Sequence, residues 1–370
     1  MRFPSRVTPS LLAPLLLCVP ATLGAEEPTF VEVDGVVYGA RADERGPIGG
    51  NDGYTATITS GDHVAKNLDE LIEALAIAKR GETVFIPGDL EIDLTARIYI
   101  EKLMLDIPEG VTLASDRGHN GSAGALVTSD ALETPIMIRA MGPDVRVTGL
   151  RIRGPNGKRY LDHHARAHSP EIRQRDSHRR EYYYRFPTSD GIVTRHSRLE
   201  VDNCEISCFA HSGVYLMTGT DHHIHHCSIH HCQYQGLGYG VSHDEASSIV
   251  EYNLFDWNRH SIAGTGRPSC GYIARHNVEC GVSLSHCFDM HGGRDRRDGT
   301  DIAGTSMEVH NNTFLAKQLP IKIRGVPEEK VDVHHNWFPH HATAHEAVVA
   351  HARTEVDDNW HGPAPVGLKE

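Results

Sequence analysis

Apolar and polar positions in the second half of the chain alternate in short frames rather than along helices. Val250, Asn253 and Phe255 form one such frame, Val309, Asn312 and Phe314 a second, and Val333, Asn336 and Phe338 a third. Each sets a small apolar residue three positions before an asparagine and an aromatic two after it. The same column takes in Cys204, Cys227, Asn253, Asn277, Asn312, Asn336 and Asn359, at intervals of 23, 26, 24, 35, 24 and 23 residues. A fixed period combined with alternation of period two predicts short strands stacked coil upon coil. Leucine-rich horseshoes have similar periods but need several leucines per repeat, whereas Val, Ile and Phe fill this frame. The pattern predicts an all-β solenoid, a parallel β-helix.

Upstream of the repeats, Asn67 to Glu70 read as a capping box that opens a helix. Leu68, Leu71, Ile72 and Leu75 fall on one face of it, and Gly81 follows as a stop. Such a helix would cover the open edge of the first coil. Strand-like runs follow at Thr83 to Pro87, Leu103 to Ile107 and Val145 to Leu150, separated by Gly and Pro turns. Val147 and Leu150 already match the frame that resumes at Val201 and Cys204, so residues 26–370 are read as one domain carrying an insertion at 155–188.

That insertion holds Lys158, Arg159, Arg166, Arg173, Arg175, Arg179, Arg180 and Arg185, with Tyr160, Tyr182, Tyr183 and Tyr184 among them. Guanidinium forks suit carboxylate or sulfate groups and aromatic faces suit pyranose rings, so Arg173, Arg175, Arg179, Arg180 and Tyr182 to Tyr184 are candidate binders of an anionic glycan. The competing reading is a solvated loop. A second interruption lengthens the coil between Asn277 and Asn312, largely at Gly292 to Gly299, and brings in Arg294, a further candidate for substrate binding.

The first 25 residues carry Arg2 and Arg6, an apolar run from Leu11 to Leu17 and small residues up to Ala25. This is the layout of a secretory signal, too short and proline-broken to span a bilayer. The expected location is therefore secreted or periplasmic, with no membrane partner. With 36 Lys and Arg against 49 Asp and Glu the net charge is −13, which argues against a nucleic-acid partner. Cys18 leaves with the signal. Seven cysteines remain in an oxidising compartment, an odd number, so at least one is unpaired or bridges to another chain. Cys204 and Cys227 share a ladder position, as a bridge or as packed thiols.

The stretch from Asn67 to Ile86, followed by coils such as Val331 to Phe338, resembles the pectate-lyase-like right-handed β-helix superfamily over most of the mature chain. The resemblance implies a right-handed helix with an N-terminal capping helix, and an enzyme acting on acidic polysaccharide. One fold hosts many chemistries, so the activity has to be read from the site. Pectate lyases follow the corresponding coil with an Arg-x-Pro-x-x-Arg segment that supplies their base. Here the stretch from His340 to Ala350 has no such motif, and their mechanism does not carry over. Calcium enters only through the resemblance, since no carboxylate cluster is evident, and no cofactor is expected.

Candidate chemistry comes from aligning the coils. Val214, Leu237, Ala263, Asp289 and Lys322 align in one column, with Leu216, Tyr239, Thr265, His291 and Arg324 two residues on. Strand residues two apart share a face, so Asp289, His291, Lys322 and Arg324 form a block on adjacent coils. Burying four ionisable groups is costly unless all are paired, which favours an outward groove. β-Elimination beside a uronate carboxylate needs that charge neutralised, a base on the C5 proton and an acid at the leaving oxygen. Arg324 is the candidate clamp, Lys322 or His291 the base, Tyr239 the acid and Asp289 the orienting carboxylate. A structural ion-pair ladder is the alternative. Hydrolysis needs two carboxylates, of which Asp289 is one and Asp244 or Glu245 the only neighbours, on a loop with His243 that is a further candidate for substrate contact. C5-epimerisation shares the first proton transfer, and a non-catalytic glycan-binding solenoid remains the other class.

The 27 histidines invite a metal reading, above all at Asp221 to His226. If Ile224 points inward, His225 joins an exposed column with Glu251, Arg275, His310 and His334, and His226 one with Tyr252, His276, Asn311 and His335. Stacking on a flat face does not by itself make ligands converge, so these are read as hydrogen-bonding ladders and no metal ligand is assigned.

Overall fold

The computed structural model describes residues 28–157, 169–174, 187–234 and 236–365. The signal segment, Arg175, Arg179, Arg180 and Tyr182 to Tyr184 lie outside them, as do Lys158, Arg159, Tyr160, Arg166 and Arg185.

Three columns of short parallel strands run along the solenoid. One, the groove face, contains Ile138–Ala140, Asp190–Thr194, His260–Gly264, Phe288–Met290 and Ile321–Ile323. A second, the histidine face, contains Arg146–Thr148, Glu200–Asp202, Gly271–Arg275, Met307–His310 and Val331–His334. The third contains Glu205–Ser207, Ser228–His230, Leu254–Asp256 and Thr313–Phe314. The strands Ser212–His225 and Tyr239–Glu251 run unbroken from the groove face to the histidine face and join the two into one sheet. Across the 155–188 insertion, Val147 pairs directly with Val201 in parallel register, as the shared frame predicts.

Alternation fixes what lies inside. Val214, Ile262, Phe288 and Ile321, in register on the groove face, are fully buried in one core with Ile224, Val250, Ala274, Val309 and Val333 from the histidine face. The asparagines form a continuous amide ladder inside the corner between the histidine and third faces. The Asn277 side-chain oxygen accepts from the Asn253 backbone N–H and side-chain amide, both at 3.0 Å, while its own amide donates to Val250 O at 2.8 Å and to Asn312 Oδ1 at 2.9 Å. The pattern repeats through Asn312 and Asn336 to Asn359. Just outside the ladder His226, Tyr252, His276, Asn311 and His335 adopt left-handed backbone, with φ of 50 to 54°. That conformation costs roughly 1–2 kcal/mol per residue, and the amides that satisfy the turned backbone offset it.

All seven cysteines from Cys204 onward are buried free thiols, so Cys204 and Cys227 are packed and not bridged. The helix spans Leu68–Ile77, with the Asn67 side chain accepting from Glu70 N at 3.0 Å. Glu70 reaches back to Lys66 N rather than to Asn67 N. Leu71 and Leu75 are buried, and Leu68 and Ile72 pack against the core more loosely.

Candidate functional site

On the groove face, the outward column reads Val193, Tyr215, Ser242, Ala263, Asp289, Lys322 and Val349. The expected neighbours Asp289 and Lys322, and Met290 and Ile323 beside them, are in the predicted register. The earlier coils are not: Tyr215 and Ser242 stand where Val214 and Leu237 were expected. Their strands run through the corner, with a register shift between Gly219 and His222, and offer no turn from which to count. Tyr239 consequently leaves the His291 and Arg324 column and pairs with His260.

Small residues make the hollow. Ser242, Ala263 and Gly264 floor a cavity of about 170 Å³, walled by His211, Tyr215 and Tyr239 and by His291. His211 Nδ1 lies 2.7 Å from Asp190 Oδ1, which fixes that nitrogen as the donor and leaves Nε2 for chemistry. Burial works to lower the His211 pKa, but the charge and hydrogen bond of Asp190 outweigh it and raise the pKa above 6.5. The Tyr215 ring stands edge-on to His211 at 4.9 Å between centroids. Burial, then the charges of Asp244 and Asp190, push its phenol up to about 12, so it holds its proton at neutral pH.

Asp289 is completely buried, though its strand neighbours Phe288 and Met290 are the ones facing the core. Its covering is a ring of cations and imidazoles. Arg324 Nε and Nη2 donate to its two oxygens at 2.8 Å each, and His286 Nε2 and His291 Nε2 approach at 2.9 Å. Burial alone would raise the Asp289 pKa, but the charges of His291 and His260 and the bonds from His286 and His291 hold it well below the carboxylate range. The expected open clamp is thus a closed fork: Arg324 is spent on Asp289 and, at 3.4 Å, on Asp295. The carboxylate also holds His291 at the cavity wall.

Lys322 is partly exposed and makes no ion pair among the described residues. It stands four strand steps from Tyr215, about 19 Å at ~4.8 Å per step, too far to act on the same sugar ring. His243 is buried and lines the cavity, with its ring nitrogens used internally, Nδ1 on Ala263 O at 3.0 Å and Nε2 on Ser248 Oγ at 2.6 Å. Arg267 ties Asp244 and Glu245 at 3.1 and 3.5 Å, removing them as a free hydrolytic pair. Arg294 is exposed on the helical turn Gly293–Arg296 that follows His291. Arg173 closes the turn Pro170–Arg173 within the insertion.

Sequence reasoning passed over Asp190, Tyr215 and Arg259, and took His211, like His260 and His286, for a histidine recurring at the head of the groove strands without giving it a role. The signal available was a carboxylate and a histidine one coil apart, at the head of successive groove strands. Arg259 lies 5.9 Å over the Tyr239 ring, and its Nη1 donates to Leu237 O at 3.3 Å. Among the described residues it pairs with no carboxylate.

Residues 171–359 match the family model described as a right handed beta helix region. The chain belongs to that family. Its β-helix is similar to the crystal structure of an alginate lyase from Paenibacillus sp. str. FPU-7, with a TM-score of 0.48 and 13% identity over 82% of this chain and 95% of that one. It is also similar to the Dettilon tailspike protein (gp208), with a TM-score of 0.43 and 12% identity over 82% of this chain and 66% of that one. No curated protein matches the sequence. No helix among the described residues is long and apolar enough to cross a membrane.

Proposed function

We propose that this protein is an exported polysaccharide lyase that cleaves a uronic-acid-containing glycan by β-elimination in the groove over Ser242 and Ala263. The observation that carries this reading is the kind of group lining the groove. Its proton-transfer residues are histidines backed by carboxylates, His211 on Asp190 and His291 on Asp289, together with tyrosines, and among the described residues no pair of free carboxylates of the sort hydrolysis uses lines it. Neutral His211 takes the C5 proton through Nε2, and the resulting imidazolium is stabilised by Asp190. Tyr215, still protonated, donates to the departing glycosidic oxygen. Arg259 meets the uronate carboxylate, the role for which Arg324 is not free. No cofactor takes part in this scheme.

A second reading rests on the two carboxylate-backed histidines that line one cavity, His211 on Asp190 and His291 on Asp289. Proton abstraction without loss of the leaving group is C5-epimerisation, in which the carbanion is reprotonated on the other face of the ring.

One experiment separates these outcomes. The mature protein is incubated in deuterated buffer with a panel of uronic-acid polysaccharides, and ultraviolet absorbance and reducing ends are followed together. Unsaturated product supports elimination, deuterium at C5 without absorbance supports epimerisation, and reducing ends without absorbance mean hydrolysis. Binding with none of these signals would reduce the groove to a glycan-recognition surface.

A further inference from the structure

The histidine face carries a second constellation that plays no part in the groove chemistry. Glu200 and His223 are direct register partners on neighbouring strands, and His225 follows two residues on, so strand geometry alone puts all three on one surface. One ligand atom from each lies within 4.8 Å of the other two. His225 Nε2 and Glu200 Oε1 are 3.3 Å apart, close to the ~3.4 Å edge of a tetrahedron with ~2.1 Å metal–ligand bonds.

The hydrogen bonds behind His225 fix which nitrogen faces Glu200. His225 Nδ1 lies 3.0 Å from His226 Nδ1, and His226 Nε2 lies 3.3 Å from Asp43 Oδ1. The carboxylate requires the proton of neutral His226 on Nε2, which makes its Nδ1 the acceptor and His225 Nδ1 the donor. In the neutral ring His225 Nε2 is then a bare lone pair aimed at a carboxylate oxygen. Two lone pairs at that distance repel unless a cation sits between them. The chain His225, His226, Asp43 also has the form of the outer shell that holds metal-binding imidazoles in one tautomer.

We propose that Glu200, His223 and His225 form a binding site for a divalent transition metal of the zinc class. Imidazole and carboxylate donors in this number suit zinc, and three protein ligands leave a fourth position for water or a carboxylate oxygen. That position is accessible, because His223 also borders a groove of about 640 Å³ along the histidine face. Of the neighbouring cations, Arg45 and Arg275 are held by Glu251 at 2.7 and 2.6 Å, and Arg146, which also lies 3.7 Å from Glu200 Oε1, is held more closely by Asp202 at 2.8 Å. His223 Nε2 also touches Glu251 Oε1 at 2.9 Å, and metal binding replaces that bond while Glu251 keeps its two arginines.

The test uses the mature chain stripped of metal and titrated calorimetrically with zinc chloride, with calcium chloride alongside. The expected result is one zinc equivalent that the double variant Glu200→Gln/His223→Ala loses, while His310→Ala/His334→Ala, altered at the similar Glu308 grouping, retains it. His226→Phe should weaken binding about 10- to 100-fold by removing the hydrogen bond that fixes His225. A crystal soaked in zinc should show anomalous scattering between these three side chains. Circular dichroism of each variant establishes that it is folded. No bound zinc, unchanged stoichiometry in the folded double variant, or scattering confined to other histidines would overturn the proposal.

Discussion

The amide ladder and the groove are built on the same scaffold of in-register columns, and they use it in opposite ways. From Asn253 to Asn359 the ladder repeats one residue, and each amide satisfies its neighbours until nothing is left to react. Along the groove column the residues change at every step, from Tyr215 through Ser242 and Ala263 to Asp289 and Lys322. Change in a column opens space where residues are small and strands charge where they are not. In a solenoid, sameness down a column marks structure, and departure from it marks candidate chemistry.

The sharpest way to break this contrast is His211→Ala. Turnover on the responsive polysaccharide should fall about 10²- to 10⁴-fold, with thermal unfolding barely moved, since this histidine supports no ladder. Asp190→Asn should shift the acid limb of kcat/KM to lower pH. His211 works as the neutral base above its raised pKa, and losing the Asp190 charge leaves only burial, which lowers it. An unmoved limb would remove His211 from the mechanism.

Asp289→Ala should cost about 3–5 kcal/mol in urea unfolding, because Arg324 and three imidazoles lose the carboxylate they surround. The folded pKa of Asp289 lies below the ordinary aspartate value of 3.8. Its contribution is therefore fully present above that value, and the gap between wild type and variant should close as the pH falls toward the lower folded pKa. A gap that persists in strong acid would mean the cost is one of packing.

Asn277→Ala should cost roughly 2–4 kcal/mol, since the Asn253 N–H and the Val250 carbonyl are left buried and unpaired. Activity per folded molecule should be unchanged. The smallest effect is expected for Lys322→Ala, within about 0.5 kcal/mol of wild type in stability and little altered in kcat. A large loss of kcat would move the reaction centre four strands along the groove.

Much of this contrast is legible in the sequence alone. The ladder residues carry their own ruler, and it set the fold, the column of His225 with Glu251, Arg275, His310 and His334, and the pairing of Asp289 with Lys322. It failed where the chain gives no punctuation. Between Ser212 and His225 one strand turns a corner without Gly-Pro spacing to mark it, and a count from the ladder lands one residue short of Tyr215. Burial was misread for a related reason. His225 lies on an outward column, yet it is only 4% exposed, because Glu200, His223 and His226 close over it. Sequence shows which side of a strand a residue takes, and its neighbours decide whether water reaches it.

The ladder also limits how such a chain changes over evolutionary time. Each asparagine needs one amide on the next coil and one carbonyl on the previous coil, and any complete coil supplies both. Duplicating or deleting a whole turn, such as the 24 residues from Asn312 to Asn336, hands every bond to an equivalent partner. Losing half a turn leaves severed amides in a dry interior. Inside its corners the molecule can lengthen or shorten only by whole coils, and smaller insertions are confined to the turns that lie away from the ladder.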